Sequence, residues 1–241
     1  MKKAVERTAR WGRALIVTVS LLGLGLGVAG CSESDRPLEP PVRFDGNIFG
    51  TFYQVTIMDP LTQGESLELE EGFKAELENV DQVMSTYRDD AELIAFNEAP
   101  LEEWQPLSNE LIEVLAISQS VAEASHGAFD ITVGDLVNLW SFGPGARPEE
   151  VPADDALAEQ LSQVGYDALE VDTQNMQARR IRDVFVDLSG VAKGHGTDRV
   201  AAYLEQQGLE HYLVNIGGEL IARGLRDEEE QTPWQIGIEV P

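Results

Sequence analysis

Asp187 and Lys193 are the residues whose types and spacing point most directly to chemistry. They belong to Val186-Asp187-Leu188-Ser189-Gly190-Val191-Ala192-Lys193-Gly194-His195-Gly196-Thr197-Asp198-Arg199. This stretch reads as an apolar strand, a glycine-punctuated turn and a helix that starts at once. Glycines let a backbone come close to something bulky. Exposed N–H groups at a helix start attract phosphate oxygens, and Lys193 adds a positive charge beside them. Asp187 places a carboxylate where it could meet a metal or a hydroxyl. The glycine spacing fits neither a Walker A loop nor a dinucleotide fingerprint. Local chemistry leaves two readings open: a ligand-binding turn and a plain strand-to-helix connection.

Four other groups carry chemical potential, each with a plainer alternative. Tyr87, at the end of Met84-Ser85-Thr86-Tyr87, could stack on a planar ring or simply pack on the domain. Asp130, in Gly127-Ala128-Phe129-Asp130-Ile131-Thr132-Val133-Gly134, could accept from a ribose or ring N–H, or cap a turn. Asn138-Leu139-Trp140-Ser141-Phe142-Gly143 suits a pocket wall or a packed loop. Gly217-Gly218, before Glu219, is explained by a tight hairpin without any ligand. His126, His195 and His211 lack metal-ligand spacing, and there is no nucleophile elbow, so zinc enzymes and serine hydrolases are disfavoured.

The elements that must position these groups follow from periodicity. Residues 47–58 alternate as one strand. Helices are expected over 66–84, from a Ser108 cap to His126-Gly127, from an Asp154 cap to Gly165, and over 197–207. Strands are expected over 168–171, 176–180, 184–188, 212–216, 219–223 and 234–238. The order lacks a strict βαβ rhythm, which predicts an α+β fold of mixed, mainly antiparallel sheets with packed helices.

Met1–Gly30 reads as an export signal, with Lys2, Lys3, Arg7, Arg10 and Arg13 before an apolar run. Val28-Ala29-Gly30-Cys31 matches a lipobox, which predicts acylation of Cys31, the only cysteine. Ser32 after it leans toward the outer membrane in a Gram-negative cell, with the inner membrane left open. Residues 31–43 read as lipid anchor and polar tether, too polar to pack, and 44–241 as one domain. The formal charge is −26. Nucleic acid is therefore disfavoured as a partner, since phosphate backbones need a basic footprint. A strand at 234–238 just before Pro241 leads us to expect a domain whose C-terminal part lies outside this sequence.

Together these pieces resemble the bacterial FAD:protein FMN transferase family, long labelled thiamine-biosynthesis lipoproteins. The resemblance is carried, in the family's order, by Phe49-Gly50-Thr51-Phe52-Tyr53, Met84-Ser85-Thr86-Tyr87, Gly127 to Gly134, Asn138 to Gly143, Asp187 to Gly194 and Gly217-Gly218-Glu219. It implies Mg²⁺-dependent transfer of FMN from FAD to a Thr or Ser hydroxyl of an exported flavin-accepting protein, of the redox-pump subunit kind, with release of AMP. It implies an FAD site formed by Phe49, Tyr87, Ala128, Phe129, Asp130, Asp187 and Lys193. Asp187 and Lys193 are also the candidate catalytic residues, and Gly190 offers its backbone carbonyl to magnesium. Phe49 stands where the family usually has Met, and His195 where it often has Tyr. The family's later His-x-x-Asp-Pro segment, Asp and Thr, which complete the metal site, are not among these residues. FAD pyrophosphatase activity and a non-catalytic, lipid-anchored flavin binder are the alternative readings.

Overall fold

The computed structural model describes residues 33–144 and 151–238. The expected signal over Met1–Gly30, the lipidation site Cys31 and residues 145–150 lie outside the described residues.

Val42–Ile48 (β1) and Thr51–Ile57 (β2) form an antiparallel hairpin with Ile48 opposite Thr51. Phe49 and Gly50 are the two turn residues, and both have positive φ, +52° and +71°. That mirror-image turn matches the twist of the flanking strands. The single strand expected over 47–58 is therefore a corner, because alternation runs on through a two-residue turn and hides the reversal. Tyr212–Ile216 (β6) pairs with β2, and Glu219–Arg223 (β7) pairs with β6 across Gly217-Gly218, giving the order β1-β2-β6-β7. The second sheet has the order β3-β5-β4, from Gln105–Pro106 (β3), Leu169–Asp172 (β4) and Gln177–Arg180 (β5). Short strands Leu225–Asp227 (β8) and Thr232–Pro233 (β9) pair with each other. Every ladder among the described residues is antiparallel. The fold is α+β, with antiparallel sheets and packed helices.

Helix α1, Gln63–Met84, opens on a reciprocal cap: Thr62 Oγ1 accepts from the Glu65 N–H, and the Glu65 carboxylate accepts from the Thr62 N–H. Its apolar stripe then serves two cores in turn. Leu69, Phe73 and Leu77 pack under the first sheet, with Val200 and Leu204 of α6 (Ser189–Gln206) and Tyr53, Val55, Tyr212 and Val214 of the strands. Phe73 meets the rings of Phe44 and Tyr53 edge-on, with centroids at 5.4 and 5.8 Å. Val80, Val83 and Met84 pack in the second core, with α2 (Glu92–Glu98), α3 (Asn109–Ala124) and the second sheet. Ser108 caps α3 through the Leu111 N–H, as its sequence predicts. Helix α4 spans Gly134–Leu139 and α5 spans Asp154–Gln163; Asp154 is the first residue of α5 and not its cap, since Ala153 holds the cap position and no side chain bonds there.

Other segments also differ from expectation. Val184–Leu188 is largely buried but joins no ladder. Isolated bonds hold its backbone instead: Asn97 pairs with both the N–H and the C=O of Val186 at 2.8 and 2.9 Å, the Asp187 N–H donates to the Ile131 carbonyl and the Phe185 carbonyl accepts from the Gly134 N–H. Residues 234–238 also join no ladder, and the Trp234 indole N–H donates to the Arg223 carbonyl. The segment read as a tether lies partly against the domain: Leu38 N–H donates to Leu61, and Gln63 N–H to Arg36. Its backbone groups find partners there although its side chains are mostly exposed. Among the described residues no helix is long and apolar enough to cross a membrane.

Candidate flavin site

The glycine turn at 190–196 is not a loop. It forms the first two turns of α6, which starts at Ser189, eight residues before the expected Thr197. Glycine disfavours helix by about 1 kcal/mol against alanine, so three glycines here read as a break. Packing against α1 and the hairpins outweighs that local preference. Asp187 stands just ahead of this start and is 8% exposed; its Oδ1 accepts from the Ser189 N–H at 2.7 Å. The carboxylate thus anchors the helix's first turn.

A cavity of about 360 Å³ opens where the two cores meet. That size lies within the range of small-molecule sites, on the order of 300–1,000 Å³. Phe49 and Thr51 of the first hairpin, Met84 and Tyr87 at the end of α1, Phe142, and Lys193 of α6 contribute to its wall. Phe49 packs against both cores. Tyr87 is 65% exposed and donates its hydroxyl to the Phe142 carbonyl at 2.7 Å, so it does not pack down on the domain. The second hairpin closes the lysine side: a Cβ built on Gly217 would lie 3.1 Å from Lys193 Cδ and 2.7 Å from Thr51 Cγ2. Both hairpin glycines have positive φ, +56° and +99°. The tight-turn explanation therefore holds, and the same turn also lies along the lysine stem.

Charge makes Lys193 distinctive. Lys74, Arg88, Arg179, Arg182, Arg199 and Arg223 each pair with a carboxylate. The Lys193 ammonium has no ion pair or hydrogen bond among the described residues, although the chain carries 43 Asp and Glu; it shares this with Arg43 and Arg226, which line a separate cleft, and is itself the basic side chain on the wall of this cavity.

The other candidates border this cavity without lining it. A Cβ on Gly190 would lie 3.7 Å from Phe129 Cε2, which brings the Ala128-Phe129-Asp130 corner against the start of α6. Asp130 caps the short 3-10 turn Ile131–Val133, accepting from the Thr132 N–H and hydroxyl at 2.8 and 2.7 Å. Its carboxylate has the structural employment that its sequence context also allowed. Gly190 is exposed in the first turn of α6. Among the described residues no group of three or more His, Cys, Asp or Glu could hold a metal ion. His195, where the resemblance places Tyr, meets the Glu110 carboxylate at 2.8 Å. Thr51, Asp81 and Val137 also line the cavity and were not among the sequence candidates. Asp81 was legible only as a polar position one turn before Ser85. Two clefts of about 390 Å³ each lie elsewhere and contain none of the site candidates.

The profile of the ApbE family matches residues 49–241. The FAD:protein FMN transferase of Vibrio cholerae is 39% identical over 227 residues, covering 94% of this chain and 65% of that protein. The FAD:protein FMN transferase of Haemophilus influenzae is 37% identical over 238 residues, covering 95% of this chain and 66% of that protein. Among solved structures, the flavin transferase ApbE from Vibrio cholerae superposes with a TM-score of 0.77 at 38% identity, covering 85% of this chain and 65% of that one. The chain spans just under two thirds, 64% to 66%, of the length of these curated relatives. The matched range includes the Phe49 turn, the Lys193 helix and the second hairpin, the segments that meet at the cavity, and the chain belongs to the ApbE family.

Proposed function

We propose that the whole protein transfers FMN from FAD to a threonine or serine hydroxyl of an exported acceptor protein, with release of AMP. The acceptor oxygen bonds to the phosphorus of the FMN half, the bond from that phosphorus to the bridging oxygen breaks so that this oxygen leaves with AMP, and the hydroxyl proton passes to solvent. The observation that carries this reading is Lys193, without a carboxylate partner among the described residues and set in a cavity with Phe49 and Tyr87. A lysine left without a carboxylate is available to a phosphate. The aromatic wall suits a planar ring.

Each residue then has a limited task. Lys193 binds the pyrophosphate and offsets charge as the leaving oxygen departs. Phe49 and Tyr87 hold the ring system and exclude water from it. Asp187 orients the first turn of α6, and through it Lys193. Ala128, Phe129 and Asp130 support the Gly190 end of the same turn. Magnesium, when bound, would neutralise pyrophosphate oxygens. The described residues fit it poorly, since Gly190 contributes only a carbonyl and no acidic cluster accompanies it. A magnesium requirement rests on the family resemblance. The acylated Cys31 would hold the protein in the cell envelope, facing the periplasm, at the inner or outer membrane.

The test incubates full-length protein with FAD, Mg²⁺ and a flavin-accepting domain. Flavin fluorescence that stays on the acceptor after denaturation is the expected result. Free FMN and AMP without labelled acceptor would replace transfer with hydrolysis, and unchanged FAD that remains bound would leave a binding protein. Lys193→Ala should weaken FAD binding at least tenfold, about 1.4 kcal/mol. Unaltered affinity would remove Lys193 from the site.

A further inference from the structure

Gly196 lies on the buried side of α6, one turn past Lys193. Helix propensity alone favours alanine over glycine there, so glycine needs a packing reason. A Cβ built on Gly196 would stand 2.7 Å from Phe49 Cε2 and 3.5 Å from Leu77 Cδ2. The first distance is well inside van der Waals contact, so the ring would have to move.

Its directions of escape are few. The Phe49 backbone is held in a two-residue turn at φ +52°, with both flanking strands in register. That conformation is unusual for a bulky residue, and the hairpin leaves it little room to shift. The ring packs against both hydrophobic cores. Its remaining side is the cavity shared with Thr51, Tyr87 and Lys193.

We propose that Gly196 is a positioning residue for the flavin cavity: its missing side chain gives the Phe49 ring a seat against α6, and that seat sets how much room the ligand ring has. This rests on the flavin reading of the cavity. A methyl at 196 pushes the Phe49 ring into the space the ligand uses. An unbranched, flexible side chain at 49 relieves the conflict, because methionine can bend around the methyl. Phe49 and Gly196 thus act as a size-matched pair that determines which ring systems enter.

The experiment compares four full-length proteins: wild type, Gly196→Ala, Phe49→Met and the double variant. FAD affinity is measured by equilibrium titration, and stability by thermal melting. Gly196→Ala should weaken FAD binding at least tenfold in the Phe49 background and less than threefold in the Met background. Phe49→Met is the reference for the double variant, since residue 49 itself lines the cavity. Equal losses in the two backgrounds, or no loss in either, would overturn the proposal. If Gly196→Ala does not fold alone, a folded double variant with the affinity of Phe49→Met supports it, and an unfolded double variant opposes it. Should wild type ignore FAD, the flavin reading fails and the cavity role fails with it. Melting of the four proteins then still reads the contact itself, as a loss from Gly196→Ala that Phe49→Met abolishes or does not.

Discussion

Two stretches of this chain look alike in sequence and are held in different ways. Tyr212, Val214 and Ile216 are buried at alternate positions, and so are Val184, Val186 and Leu188. Both read as strands. The first is a strand, β6, with β2 on one side and β7 on the other. The second joins no ladder, and its backbone groups are satisfied one at a time. Asn97 takes both polar groups of Val186, Arg180 donates to the Val184 carbonyl, the Asp135 carboxylate accepts from the Phe185 N–H, and the Asp187 N–H donates to the Ile131 carbonyl. A ladder shares its load over many equivalent bonds. The stretch that leads into Asp187 and α6 depends on single bonds, from the side chains of Asn97, Asp135 and Arg180 and from the backbone at Ile131 and Gly134, so the site is more exposed to single changes than the sheet beside it.

That contrast can be broken experimentally. The largest effect is expected from Asn97→Ala, which leaves two backbone groups of a buried residue unpaired, at about 1–3 kcal/mol each. A loss of about 3 kcal/mol or more in denaturant unfolding should come with weaker FAD binding, because Asp187 and the start of α6 follow directly. Val214→Ala removes apolar bulk from the laddered strand and should cost about 2 kcal/mol, with FAD affinity per folded molecule unchanged. Similar effects of the two variants on affinity would erase the distinction.

A pH dependence sharpens it from the β6 side. Burial, and then the Glu205 carboxylate that accepts from its hydroxyl at 3.0 Å, push the Tyr212 phenol up to about 12 from its ordinary value near 10. The folded state holds this proton more tightly than the unfolded chain. Its contribution is therefore fully present below pH 10 and is lost as pH rises toward 12, at up to about 1.4 kcal/mol per pH unit. Urea unfolding across that window should show the slope in wild type, and Tyr212→Phe should flatten it. The smallest effect is expected at Asp135, whose carboxyl is pushed up by burial although the Phe185 N–H opposes the shift. Asp135→Asn keeps an acceptor for that N–H and removes a charge that burial disfavours. Stability near pH 7 should change by less than about 1 kcal/mol, and a much larger loss would mean that the charge itself holds Phe185.

Much of this was legible in the residues themselves. The stripe on α1, the Ser108 cap, the alternation of β6 and the glycine pair at 217–218 depend on neighbours within a few positions, and local physics decided them. The helical state of 189–196 was not legible, because three glycines argue against helix and only packing on α1 and the hairpins outweighs them. The turn at Phe49-Gly50 was hidden for a related reason: a phenylalanine with positive φ is disfavoured locally and is tolerated when its ring fits between two cores.

Chain order and residue type by themselves determined the family, the α+β class and Lys193 as a cation in an acidic background. Tertiary structure decided which candidates share a wall. Phe49, Tyr87 and Lys193 line one cavity, while Asp130 and Asp187 support the turns that border it. The physical reason is that hydrogen bonds and contacts across 89 residues, as between Asn97 and Val186, leave no periodicity in a sequence. They exist only once both cores have closed around α1.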